Sequence, residues 1–248
     1  MTTRLLAIIC SCACVAAAGA DVVSLDAARD NSMYEDFGGE LSNGAGPSLF
    51  AGLTQFENRR RALIAFDLTS IPAGSTITSV TLTLTCTRSA SLAEPVSLRP
   101  SLASWGEGPS IALGEGGMGT AALPGDATWR YRFYPDVLWG TEGGDLGPAS
   151  ATTPVAGEGA YTWSSPTMAA DVQAWLANPA VNFGWAIVGN EDLPQTAKRF
   201  ASRENDVLHQ RPVLVVEYTP VPGPAVLGVA FSSLLSASRL RRRHLGAR

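Results

Sequence analysis

A strict alternation of apolar and polar side chains from Ser79 to Thr87 constrains the fold more than any other stretch. The apolar positions are Val80, Leu82, Leu84 and Cys86, and threonines stand between them. Successive side chains of a β-strand point to opposite faces of the sheet. The pattern therefore predicts an antiparallel strand with one buried face and one face in water. Cys86 is expected to be a small buried core residue.

Other segments carry strand patterns of different kinds. In Ala62–Leu68 both faces are largely apolar, which predicts a central strand covered on both sides. Asp21–Leu25 predicts a short strand, and the polar, turn-rich sequence from Asp30 to Phe50 predicts a long surface loop with at most one short strand. Shorter apolar runs predict strands at Leu49–Leu53, Val96–Pro100, Tyr161–Trp163, Gly184–Gly189 and Pro212–Tyr218. Apolar residues at helical spacing predict one helix over Thr167–Ala177.

Strand patterns dominate the chain and set the fold class. There are roughly eight to ten short strands, one short helix and long loops. The 25 glycines and 16 prolines indicate many turns, and an apolar content of 46% is enough for a sizeable core. The sequence predicts an all-β fold over residues 21–220, a jelly-roll-type antiparallel β-sandwich with one short helix.

The N-terminal segment has the composition of an export signal. Residues 1–20 combine the positive charge of Arg4, an apolar stretch and the small residues Ala18-Gly19-Ala20. This combination predicts a secretory signal peptide, which signal peptidase removes before Asp21. Cys86 is then the only cysteine that remains, which excludes an intramolecular disulfide and a cysteine-based metal site.

The C-terminal segment, residues 221–248, combines a Pro-rich hinge, a short apolar stretch and an arginine cluster. This order of parts resembles the PEP-CTERM sorting signal of Gram-negative bacteria, although Gly223 stands where that family has glutamate. The resemblance implies transient membrane contact, recognition by an exosortase, and a secreted or cell-surface location in a Gram-negative-type bacterium. An unstructured tail is the alternative.

The body of the chain is acidic. Residues 21–220 carry 12 basic and all 22 acidic side chains of the sequence. Such a surface has no general attraction for nucleic acid, and we expect no nucleic-acid partner. An anionic polysaccharide also fits poorly unless basic residues cluster locally.

Segments spread through the body resemble the DNRLRE domain family of secreted bacterial β-sandwich domains. The matching segments are Ser42–Gly46, Phe50–Gly52, Arg60–Thr85, Ala127–Trp129, Gly143–Asp145, Trp175–Glu191, Ala197–Glu204 and Arg211–Pro220. The resemblance covers about Asp30 to Pro220, and it is carried by the order and spacing of the segments. It implies a jelly roll in an extracellular setting, often beside carbohydrate-active modules. Some relatives are carbohydrate-binding modules, and the resemblance implies no catalytic set.

An aromatic-rich stretch from Trp105 to Pro154 is the candidate carbohydrate-binding site. Sugar rings bind to exposed aromatic faces that are flanked by side chains able to bond hydroxyls. The candidate residues are Trp129, Tyr131, Tyr134 and Trp139, with Arg130 and Arg132 beside them. The alternative is that these aromatics close one end of the sandwich.

Charged residues near the C-terminal strands predict a structural clasp. We expect Arg199 and Arg203 to pair with Glu191 or Glu204 and to hold the last strands together. His209 is the only histidine of the body, so a nucleophile–histidine site is not expected. Carboxylate pairs could serve glycoside hydrolysis, but nearby basic residues are expected to neutralise them as ion pairs.

The N-terminal loop is a candidate site for a structural calcium ion. Asp30, Asn31, Glu35 and Asp36 supply hard oxygen atoms there, although their spacing matches no EF-hand, and solvated loop acids are the alternative. No other cofactor is expected.

The sequence thus predicts a secreted, non-catalytic β-sandwich that binds extracellular or cell-surface polysaccharide, such as an exopolysaccharide matrix. A structural or adhesive component of the matrix or cell surface, without a glycan site, is the alternative. A polysaccharide lyase or hydrolase is the third reading. Exposure of the four aromatic side chains would favour binding, and burial of Trp129 and Trp139 would favour the structural role.

Overall fold

The computed structural model describes residues 19–221, and the regular structure of this part of the chain is mostly antiparallel strands. The strands are β1 (Asp21–Tyr34), β2 (Leu41–Ser42), β3 (Ser48–Leu53), β4 (Arg59–Phe66), β5 (Thr76–Ser89), β6 (Glu94–Pro100), β7 (Thr120–Ala121), β8 (Tyr131–Phe133), β9 (Val137–Leu138), β10 (Ala151–Val155), β11 (Gly159–Ser164), β12 (Trp185–Val188), β13 (Lys198–Ala201) and β14 (Val213–Thr219). The helix α1 spans Pro166–Ala177, and short 3₁₀ turns lie at Pro179–Val181 and Leu208–Gln210.

Apart from β8 and β9, which form a separate two-stranded pair, the strands form two sheets that are joined through β1 and β3, since each of these strands also pairs with β4. The first sheet has the order β3-β13-β5-β14-β1, with β11 also paired to β5. The second has the order β10-β6-β12-β4-β1, and β2 and β7 extend it beyond β1. Strand β1 crosses between the sheets: Asp21–Asp26 pairs with β14, and after an irregularity at Ala27 and Arg29 the strand pairs with β4 as far as Tyr34. The predicted all-β antiparallel sandwich is confirmed.

The two apolar faces of β4 enter two different cores. Ala62, Ile64 and Phe66 belong to the inner core between the two sheets. Leu63 and Ala65 belong to a second cluster, the outer core, whose members are Met33, Leu63, Ala65, Trp105, Ala127, Trp129, Trp139 and Ala186. The sheet residues of the outer core come from β1, β4 and β12, and the others come from the stretch between β6 and β10. That stretch, residues 101–150, therefore covers the outer face of the second sheet, and we call it the excursion.

Strand β5 matches its predicted alternation. Val80, Leu82, Leu84 and Cys86 are buried in the inner core, and the threonines between them are partly exposed. Because one face of this strand is buried and the other faces water, its register is fixed. A shift of one residue would expose the apolar side chains and bury the threonines. Cys86 is a buried free thiol, as predicted.

Helix α1 closes one end of the inner core. Ser165 caps its N-terminus by accepting a hydrogen bond from the backbone N–H of Met168 at 3.0 Å, and Pro166 occupies the first turn, where its missing N–H costs nothing. Met168, Val172 and Trp175 are buried against the sheets. The predicted helix is confirmed within one residue at its start.

The N-terminal surface loop was predicted wrongly. Residues 30–34 are the buried second half of β1 and pair with β4. Polar side chains misled the prediction, because their partners come from distant segments: the Asn31 amide donates to the backbone oxygens of Glu107, at 2.7 Å, and Ala127, at 3.2 Å. A buried polar residue with such partners is compatible with a central strand.

No helix within residues 19–221 is long and apolar enough to cross a membrane. The predicted signal peptide and sorting signal lie outside the described residues, apart from Gly19, Ala20 and Val221.

Candidate functional site

Both tryptophans of the predicted binding site are buried. Trp129 is 5% exposed and Trp139 is 6% exposed, and both pack in the outer core. The indole N–H of Trp139 donates to the backbone oxygen of Thr128 at 2.9 Å. The guanidinium of Arg61 lies 4.9 Å from the ring centroid of Trp129. Neither ring presents a free face to solvent.

The two tyrosines and the two arginines of the predicted site are only partly exposed. Tyr131 and Tyr134 contact each other edge to face, with centroids 5.3 Å apart. Arg130 lies over the Tyr131 ring, and Arg132 donates to the backbone oxygen and hydroxyl of Ser104 at 3.1 and 2.9 Å. The structure therefore keeps the six residues in one region but does not form a single exposed aromatic strip.

A polar cleft lies beside this region, between the turn after β1 and the excursion. It has a volume of about 210 Å³ and is lined by Glu35, Asp36, Phe37, Gly38, Gly39, Trp129, Arg130 and Glu142. The Phe37 ring is fully exposed at 110%. Trp129 and Arg130 are thus the two predicted binding residues that line an open cleft.

Local backbone chemistry places the Phe37 turn against Arg130. The Asp36 carboxylate accepts the backbone N–H of Gly39 at 2.6 Å, which closes the turn. Gly39 has φ +63, and a Cβ there would lie 2.4 Å from Cγ of Arg130, so only glycine fits under that side chain. The backbone N–H of Arg130 donates to Gly39 O at 3.1 Å.

Charges around the cleft are mixed. Arg130 and Glu142 form a loose ion pair at 3.5 Å, with exposed fractions of 43% and 67%. Both carboxylate oxygens of Glu35 are occupied by Arg59, through its backbone N–H at 2.8 Å and its guanidinium at 3.1 Å. The rim therefore offers the solvated Arg130 and Glu142 as donor and acceptor, which suits hydroxyl groups better than a strongly charged ligand.

Among the four residues of the predicted clasp, only Arg203 and Glu204 pair with each other. Arg203 contacts Glu204 at 2.7 Å, which agrees with the prediction, and Glu107 at the same distance. Glu191 instead receives two bonds from Arg61, at 2.7 and 2.8 Å. Arg199 pairs with Glu115. The predicted pairing of Arg199 with Glu191 or Glu204 is therefore wrong, because the sheet topology brings residues of other segments closer.

Lys198, from the same charged loop, is also not an ion-pair partner of the nearby acids. Its side chain is fully buried. The ammonium donates to the hydroxyls of Ser89 and Ser91 at 2.6 and 2.7 Å and to the backbone oxygens of Leu92 and Ala156 at 3.0 and 3.1 Å. Burial lowers the pKa of Lys198. It anchors β13 to the loop after β5 and to the end of β10.

Three acidic residues from distant segments meet at Arg203. One carboxylate oxygen from each of Asp30, Glu107 and Glu204 lies within 4.8 Å of the other two. Burial, followed by the neighbouring Glu204 carboxylate, raises the pKa of Asp30 well above its ordinary value. Burial also raises the pKa of Glu204. We call these three residues the acidic triad.

The four residues of the expected calcium loop are not used together. Asp30 belongs to the acidic triad, and the Asn31 amide binds backbone oxygens. Glu35 binds Arg59, and Asp36 closes the Phe37 turn. Of the four, Asp30 lies among other carboxylates, and those neighbours are 77 and 174 residues away in the sequence.

Sequence reasoning missed Phe37, Glu142 and Glu107. Phe37 is the lone aromatic residue in a turn of glycines and acids. Such a turn has no apolar neighbours to bury the ring, so the sequence could have indicated that Phe37 is exposed. No sequence signal pointed to Glu107. The burial of Trp129 and Trp139 had a signal in the second apolar face of β4, which required a cover.

No protein-family model matches the chain, and no curated protein matches it. The resemblances to DNRLRE domains and to PEP-CTERM signals therefore stay predictions.

Proposed function

We propose that this chain is a secreted, non-catalytic β-sandwich that binds a neutral, hydroxyl-rich polysaccharide at the cleft beside Phe37. The observation that carries the proposal is the fully exposed Phe37 ring at the mouth of a cleft with polar walls. An exposed aromatic ring can stack on the C–H face of a sugar, and flanking polar groups orient it.

The cleft offers both partners that sugar hydroxyls need. Arg130 supplies guanidinium donors, and Glu142 supplies carboxylate acceptors that are only loosely paired with it. Asp36, on the side of the cleft formed by the turn after β1, adds negative charge, which disfavours an anionic sugar. These charges make a neutral polysaccharide the preferred ligand class.

The rigidity of the excursion supports binding without catalysis. Trp129 and Trp139 fix the excursion to the second sheet, so the Arg130 wall of the cleft is preorganised. A binding module needs only this held surface, whereas hydrolysis would need a carboxylate pair placed across a sugar bond.

A structural or adhesive role without a glycan site is the second candidate. The burial of Trp129 and Trp139 favours it, because it removes the two largest rings from the predicted binding surface. In that role the excursion is an extra layer that stiffens the sandwich.

Affinity electrophoresis in gels with neutral polysaccharides, supported by a glycan array, separates the two candidates. We expect the wild-type protein to be retarded by at least one neutral polysaccharide. Phe37→Ala should weaken binding about tenfold, or ~1.4 kcal/mol, and Glu142→Gln should weaken it less. Both variants should keep the wild-type melting temperature, because both side chains are largely exposed.

Phe56→Ala is the matched control, because Phe56 is 74% exposed but does not line the cleft. It should leave retardation unchanged. If no polysaccharide retards the protein, or if the Phe37 and Phe56 variants lose binding equally, the structural role is favoured.

A further inference from the structure

We propose that Asp30, Glu107 and Glu204 form a binding site for a divalent cation of the calcium class. One oxygen from each carboxylate lies within 4.8 Å of the other two. Two oxygens bound to one calcium ion at 2.3–2.6 Å can be at most about 5.2 Å apart. Three oxygens at such spacings can all lie within about 2.8 Å of one point, so a small shift of the side chains would let one calcium ion bind all three residues.

Two buried carboxylate oxygens of the acidic triad lack a hydrogen-bond partner within residues 19–221. Asp30 is 0% exposed, and its Oδ2 accepts the backbone N–H of Arg203 at 2.8 Å. Its Oδ1 accepts no hydrogen bond from the described residues, and neither does the buried Oε2 of Glu204. A buried carboxylate oxygen without a donor is costly, and a bound cation removes that cost.

The positive charge near the triad is insufficient for three carboxylates. Arg203 contacts Glu107 and Glu204 through its Nε, at 2.7 Å each. Arg29 also lies near Glu107, but it donates to the backbone oxygen of Trp105 at 2.7 Å and lies over that indole ring. The remaining negative charge attracts a further cation.

The ligand chemistry favours calcium. The triad offers oxygen atoms alone, and hard oxygen donors suit calcium and magnesium better than zinc or copper. The two triad oxygens without a hydrogen-bond partner among residues 19–221 are free to bind the ion, and water molecules can bring it to the roughly six to eight ligands that calcium takes. Magnesium requires metal–oxygen distances of 2.0–2.1 Å in a strict octahedron, so two oxygens bound to one magnesium ion can be at most about 4.2 Å apart.

The site has an approach from solvent. A surface cleft of about 460 Å³ is lined by Asp26, Ala27, Arg203, Leu208, Arg211 and Pro212. Arg203 both lines this cleft and contacts the triad, so the carboxylates lie one side chain away from water. Water molecules from the cleft can complete the coordination.

A cation here would join three parts of the fold. Asp30 belongs to β1, Glu107 to the start of the excursion, and Glu204 to the loop after β13. The ion would hold the excursion and the C-terminal loop to the second sheet, so its binding should raise the melting temperature of the protein. This role does not depend on the proposed glycan site.

Calcium titration of the purified, EDTA-treated protein tests the proposal. We expect saturable binding of one ion by isothermal titration calorimetry. At a calcium concentration one hundred times the Kd, Tm should rise by about 5–10 °C. Magnesium should bind more weakly. Glu107→Gln should raise the calcium Kd at least tenfold, and Glu142→Gln, which removes an exposed acid elsewhere, should leave it unchanged.

Asp30→Asn provides a second variant that lacks one ligand charge but keeps the shape of the side chain. It should fold in EDTA and show no Tm response to calcium. The proposal is overturned if wild-type protein gives neither binding heat nor a Tm shift with calcium. A response that persists in both triad variants also overturns it, because the ion then binds elsewhere.

Discussion

Replacing Trp139 by phenylalanine tests whether the aromatic stretch serves the core. Trp139 is 6% exposed in the outer core, and its N–H donates to the backbone oxygen of Thr128, a residue with no exposed surface. Phenylalanine keeps an aromatic face but removes the donor. The orphaned carbonyl costs about 1–3 kcal/mol, and the void left by the smaller ring adds about 1 kcal/mol.

The expected loss of stability is therefore about 2–4 kcal/mol, which lowers Tm by about 4–16 °C for a domain of this size. Thermal unfolding followed by circular dichroism measures it. Leu138→Ala is the matched control, because Leu138 is the adjacent residue and is 54% exposed. It should change stability by no more than about 0.5 kcal/mol.

A Trp139→Phe protein with wild-type Tm but weakened polysaccharide binding would refute the reasoning. It would show that the indole acts on a ligand and that the outer core does not need it. Equal destabilisation by Leu138→Ala would also refute it, because the loss would then follow position in this short segment and not burial of the side chain.

Two further predictions concern the acidic triad in calcium-free buffer. Arg203→Ala should lower stability by about 1–2 kcal/mol and leave polysaccharide binding unchanged. The loss is below that of a fully buried ion pair because Arg203 is 38% exposed. A variant that melts like the wild type but no longer binds polysaccharide would contradict this prediction. The raised pKa of Asp30 means that the folded state holds its proton more tightly than the unfolded chain. Its stabilising contribution is thus fully present below about pH 4 and is lost as pH rises through the folded-state pKa. Asp30→Asn should therefore have a Tm that falls less than the wild-type Tm between pH 4 and pH 8, and parallel Tm curves would argue against this assignment.

Local sequence determined the strands and the helix. The alternation in β5 and the double apolar pattern of β4 each allow one arrangement that buries the apolar groups, so both were predictable. The helix was predictable because its apolar spacing, its serine cap and the following proline are all local signals. The fold class followed from the number of such strands.

Tertiary structure alone decided which polar groups meet. Asp30, Glu107 and Glu204 come together because β1 pairs with β4 while the excursion folds back over the same sheet. Arg199 had acidic neighbours in the chain but pairs with Glu115, from the excursion. Pairing between strands is non-local, and an ion pair forms with whichever opposite charge the topology brings near.

The arrangement of the aromatic stretch depends partly on the sequence and partly on the tertiary structure. The sequence determined that its rings are numerous and that an apolar face of β4 needed a cover. Only the tertiary structure decided that Trp129 and Trp139 supply that cover while Phe37, from a different segment, remains in solvent. The physical reason is that burial is a property of the packed layers, since a ring is covered by residues distant in the chain.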